Sequence, residues 1–215
     1  MKTSKPTRRT RDNTAVLLID HQVGLFTGVR DLSVSDLKHN VVGLARAAKI
    51  LGLPIIAVTT ARDSMWGPTI PELREALGGG EILDRSTVNA WDYAPFVKAV
   101  KETGRDHLVI AGLSFEVCAS LPAVSAREVG YEPVVAIDAC GTFTSHKREA
   151  GIALAVLAGI VALYFVFTSD HPLRALIVLL VVAAWFVLTW FSEINILLYS
   201  HETVVGPALL WESCC

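Results

Sequence analysis

Apolar positions along the chain fall into two alternating patterns. Short unbroken runs are separated by longer segments in which apolar residues recur every three to four positions. The first run, TAVLLID at 14–20, is continuous and closed by an acid, which predicts a strand buried on both faces. In residues 35–51, Leu37, Val41, Leu44, Ala48 and Leu51 share one helical face, and Ser35 stands where it can cap. Strands are expected again at 54–60, 107–113 and 132–139. Helices are expected at 94–104 and 116–130, each stopped by a glycine, with Pro122 either bending the latter or lying in its early turns. Regular alternation of strand and helix predicts an α/β fold with a parallel sheet covered on both faces. Ligands in such folds bind beyond the carboxyl ends of the strands. Asp20, Cys118 and Asp138 fall near three such ends.

Composition narrows the picture. A chain of 215 residues suits one domain with a sizeable core, and a formal charge of −2 gives no sign of a nucleic-acid partner. The charge is unevenly placed. Residues 151–215 hold one basic residue, Arg174, and four acids, leaving 18 basic and 17 acidic residues in 1–150. The basic N-terminus, MKTSKPTRRTRDN, has no apolar stretch beside it and reads as a solvated arm, not a secretory signal. Four cysteines (Cys118, Cys140, Cys214, Cys215) without CxxC or zinc spacing suggest a reducing compartment.

Cys118 stands just inside a predicted helix. Free N–H groups there would lower its pKa and bind an oxyanion, so the position suits a nucleophile. A small buried thiol that merely fills space is the commoner role of a free cysteine. Asp20 is open to the same two readings, as a base or as a cap. A flavodoxin-like nucleotide binder is disfavoured, because DHQVGLFTG is neither GxGxxG nor a P-loop.

Four segments in this order, AVLLIDHQVGL, DRSTVNAWD, LVIAGLSFEVCASLPAVSAREVGY and VVAIDACGTF, resemble the isochorismatase-like cysteine hydrolases, most closely the YcaC-type subgroup. The resemblance covers residues 12–150 and implies a Rossmann-like three-layer fold. It also implies a triad of Cys118 as nucleophile, Asp20 as general base and Arg85 in the basic position, where many relatives have lysine. An arginine cannot shuttle protons at its ordinary pKa, so its implied task is electrostatic. A cis peptide at Leu113–Ser114 is implied as well, with oxyanion donors near Ser114 and at Cys118. Gln22, Asn89 and Trp91 are implied to line the substrate pocket. Nicotinamidases in the broad family bind a metal through an Asp and two His; the matching stretch, TTARDSMWGPTIPEL, has no histidine, so neither metal nor other cofactor is expected. Cys140, where relatives often have serine, is read as structural. The implied activity is hydrolysis of a C–N bond in a small amide or carbamoyl compound by a homo-oligomer. A membrane-anchored scaffold that keeps the fold without activity is the alternative.

Beyond residue 150 the resemblance dissolves. Residues 151–168 and 175–191 carry no charge and flank a short polar turn, SDHPLR. Three readings stand: a transmembrane hairpin anchoring a cytoplasmic catalytic part, with Lys147 and Arg148 on the inner side; a segment buried within an oligomer; or a tail foreign to the domain. The expected organisation is therefore a hydrolase domain at 1–150 and an apolar tail at 151–215. The terminal cysteine pair matches no complete prenylation motif.

Overall fold

The computed structural model describes residues 8–153 and 156–157. Five parallel strands form one sheet: β1 (Thr14–Ile19), β2 (Ile55–Thr60), β3 (Ile82–Arg85), β4 (His107–Gly112) and β5 (Glu132–Val135), in the order β3-β2-β1-β4-β5. Successive strand residues face opposite sides, and all six residues of β1 are buried, so the central strand is covered on both faces. The covering elements include α1 (Val23–Phe26), α2 (Val34–Ile50), α3 (Pro71–Leu77), α4 (Ala94–Glu102) and α5 (Ser120–Glu128). A further helix runs over residues 145–153.

The structure refines several sequence expectations. Helix α2 is capped by Ser33, whose hydroxyl accepts the Asp36 N–H at 3.0 Å, and not by Ser35. Its buried stripe is Leu37, Val41, Ala45 and Ala48, while Leu51 follows the helix and is 55% exposed. Pro122 lies in the first turn of α5, where its missing N–H has no intrahelical partner to lose. Strand β5 ends at Val135, and the chain turns through a 3₁₀ turn at Ile137–Ala139. Asp138 is exposed on that turn and does not mark a strand end.

Elements that escaped the sequence reading include α1, α3 and β3. Helix α3 carries Pro71 at its start and left-handed Gly78 (φ 69°) as its C-cap.

The boundary expected after residue 150 falls inside a helix, and Gly151 is buried against Phe115. Among the described residues no helix is long and apolar enough to cross a membrane. The proposed spans at 151–168 and 175–191 lie outside the described residues, save for 151–153 and 156–157.

Candidate active site

Strand order reverses between β1 and β4, since the chain builds outward from β1 on one side and then restarts on the other. At such a switch point the connections leave in opposite directions and open a crevice at the carboxyl ends. Asp20 directly follows β1 there, and Cys118 lies in the turn after β4.

Register brings the other parts in. Ile19 pairs with Val58, and Thr60 pairs with Arg85, so the ends of β1, β2 and β3 present Asp20, Thr60 and Arg85 side by side. Asp20 adopts a left-handed backbone (φ 58°), uncommon for a residue with a side chain and costing about 1–2 kcal/mol. Two hydrogen bonds hold it there: its N–H donates to Val58 O at 2.9 Å, and its carbonyl accepts Gln22 N–H at 2.8 Å.

The Asp20 carboxylate is reached from three sides. Arg85 Nη2 donates to Oδ2, the Thr60 hydroxyl donates to Oδ1 at 3.0 Å, and the Cys118 thiol lies near enough for it and the carboxylate to shift each other's pKa. The Asp20 and Arg85 side chains are each 1% exposed, so solvent screens their attraction little. Arg85 also donates to Thr87 O. It thus stands at the buried end of an edge strand.

Burial raises the Asp20 carboxyl above its ordinary range, against the pull of Arg85 and the hydrogen bonds from Cys118 and Thr60. Burial also pushes the Cys118 thiol well above its usual value, and the adjacent Asp20 charge pushes it further; Arg85 and a hydrogen bond from the Ser114 backbone pull the other way. The lowered pKa expected for Cys118 at a helix N-terminus is therefore not found. Its turn, Phe115–Ala119, is a short π-helical one, and the raised pKa favours the protonated thiol beside Asp20.

The Leu113–Ser114 peptide is cis. Cys118 N–H, expected as an oxyanion donor, is already engaged with Ser114 O at 2.7 Å. Gly112 is required beside this turn. A Cβ there would lie 2.8 Å from the Cys118 carbonyl carbon and 2.9 Å from Ala119 N, both rigid backbone atoms.

The expected pocket residues divide. Gln22 is fully buried; its amide nitrogen donates to Thr60 O (3.0 Å) and Gly67 O (2.6 Å), and its oxygen accepts Thr60 N–H (2.8 Å). It is a strand-like tie that holds Thr60, with both amide hydrogens engaged by backbone carbonyls. Asn89 accepts from Trp91 N–H and donates to Ser125 Oγ, both at 3.0 Å, and so fixes the loop after β3 against α5. Trp91 packs edge-on to Phe96 and Tyr131. It also lines a concavity of about 580 Å³ with Val97, Lys98 and Lys101 of α4, to which Asp20, Arg85 and Cys118 do not contribute.

Two residues were missed. Thr60 had one faint signal, a polar pair closing a strand. His21 had none: it is buried, bonded through Nε2 to Ala139 O at 3.0 Å, and its pKa is lowered to about 4 by burial, so it stays neutral. Cys140 is buried, accepts Gly112 N–H at 3.3 Å, and is pushed up to about 12, an inert structural thiol. Among the described residues no group of three or more His, Cys, Asp and Glu side chains is placed to hold a metal ion.

Comparison with known proteins places this geometry. The probable hydrolase YcaC of Escherichia coli K12 is 42% identical over 144 residues, covering 66% of this chain and 69% of the relative. The E. coli YcaC crystal structure, an octameric hydrolase of unknown specificity, matches with a TM-score of 0.69 and 41% identity over 73% of this chain and 78% of that one. YcaC from Pseudomonas aeruginosa, solved with hexane-2,5-diol and covalent acrylamide, matches with the same TM-score, identity and coverage. Residues 14–163 match the isochorismatase domain, and the chain belongs to that family of hydrolases.

Proposed function

We propose that the chain is a cysteine hydrolase that cleaves the C–N bond of a small amide or carbamoyl compound through a covalent thioester-type intermediate. The observation that carries this reading is the buried Asp20 carboxylate held by Arg85 and Thr60 beside the Cys118 thiol. Covalent acrylamide in the P. aeruginosa relative, a small amide bearing an electrophile, supports a nucleophile in this subgroup.

In the first half-reaction the Cys118 proton passes to Asp20 as Sγ attacks the carbonyl carbon, and the carbonyl π electrons move onto oxygen. Moving the proton within a hydrogen bond avoids a free buried thiolate. Arg85 keeps positive charge beside the site throughout, and the Ser114 backbone, which already favours the Cys118 thiolate, is the proposed donor to the forming anion. Collapse returns the electrons, breaks the C–N bond and transfers the proton from Asp20 to the leaving nitrogen. Water then attacks the thioester, Asp20 takes its proton, the C–S bond breaks, and the thiol is reprotonated. The protein's own groups suffice for every step. Assembly into a homo-oligomer is part of the proposal, supported by the octameric E. coli relative.

The test is ammonia release from a panel of small amides and carbamoyl compounds by the full chain and by Cys118→Ser. The expected result is turnover of at least one compound and a loss of about a thousandfold or more in the variant. Equal turnover by the variant, or none by the wild type across the panel, overturns the reading.

A further inference from the structure

The nucleophile turn is braced from a side of the molecule that none of these steps uses. Asp31, in the loop between α1 and α2, has a fully buried side chain. Its Oδ1 accepts the Thr142 N–H at 2.8 Å, and its Oδ2 lies 2.6 Å from both Nε and Nη2 of Arg148. The same guanidinium donates to Cys140 O at 2.7 Å and to Ile137 O at 3.1 Å. Asp31 and Arg148 thus grip residues 137–142 from two directions.

That loop in turn grips the Cys118 turn. Gly141 O accepts the Phe115 N–H at 2.9 Å, Leu113 and Gly141 form an isolated parallel bridge, and the Thr142 hydroxyl donates to Glu116 Oε2 at 2.7 Å. The helix over 145–153 adds direct contact. The Arg148 guanidinium lies 5.8 Å from the Phe115 ring centroid, and a Cβ on Gly151 would come within 2.7 Å of that ring.

We infer that Asp31 and Arg148 are positioning residues that hold the Cys118 turn in register with Asp20, acting through residues 140–142. The inference rests on Cys118 being the nucleophile. Apolar side chains would fill the same space, but they would not fix two carbonyls and a carboxylate in one geometry. An arginine fork does so, and lysine, with a single compact ammonium, does not. Reacting groups displaced by about 1 Å lose on the order of a hundredfold in rate.

The experiment measures the rate of acrylamide addition to Cys118 in the full chain, by peptide mapping, well below the melting temperature. Arg148→Lys keeps the charge facing Asp31 and loses the fork. Thr142→Val keeps the ion pair and loses the bond to Glu116, so it decides the matter should the first variant fail to fold. Leu73→Ala, in the buried face of α3, lowers stability without touching this network. The expected result is a slowing of about tenfold for Arg148→Lys and about threefold for Thr142→Val, with Leu73→Ala at the wild-type rate. Wild-type rates in both loop variants, or a slowing no greater than that of Leu73→Ala, would overturn the inference. Failure of the nucleophile reading shows separately, as undiminished hydrolysis by Cys118→Ser.

Discussion

Asp20 carries two opposed electrostatic tasks, and the opposition can be measured. Its charge raises the Cys118 pKa, yet its carboxylate is the base proposed to take the thiol proton. Asp20→Asn removes the negative charge and leaves the pull of Arg85. The Cys118 titration, followed by iodoacetamide alkylation against pH, is therefore expected to move down, while hydrolysis falls by about 10²–10⁴ for want of a base. A thiol that titrates lower yet turns over less would separate proton transfer from simple thiolate abundance. A midpoint that rises or stays fixed would show that Asp20 does not act on Cys118. The substitution also leaves Arg85 buried without its counter-charge, at a cost of about 3–5 kcal/mol, so the titration belongs below the variant's lowered Tm.

At the scale of elements, the glycine that ends β4 is the sharpest constraint. Gly112→Ala would set a methyl against the backbone of Cys118 and Ala119, which cannot rotate away. Urea denaturation is expected to show a loss of about 1–3 kcal/mol, and turnover a loss of about a hundredfold, since the turn must shift away from Asp20. Gly43→Ala, mid-helix in α2 with nothing within 4 Å of the new carbon, is expected to gain about 0.5–1 kcal/mol and leave turnover unchanged. Long, strongly patterned elements such as β1, α2 and β4 were legible in the sequence, because burial on one or both faces imposes a period. Strand β3 was not: four mostly half-buried residues at the sheet edge carry no period. The Cys118 turn was read as the start of a regular helix, and it is instead a π-helical turn over Phe115–Ala119.

Over the whole molecule, the topology explains why residues far apart in sequence were legible as one site. A β3-β2-β1-β4-β5 order sets the ends of β1 and β4 side by side, so an acid after the first strand and a cysteine after the fourth must converge. What the sequence concealed is the supporting shell. Gln22 and Asn89 carry polar groups suited to a substrate, yet the fold engages them with backbone and with Ser125; amide side chains serve both purposes equally well. Of the two apolar runs of the tail, only residues 151–153 and 156–157 are among the described residues.

The most direct test of the central claim is mass spectrometry of the full chain, acid-quenched while turning over the best amide of the panel. The account predicts an acyl or carbamoyl group on the peptide containing Cys118, and no turnover once that thiol is fully alkylated. Undiminished turnover by protein completely alkylated at Cys118 would contradict it.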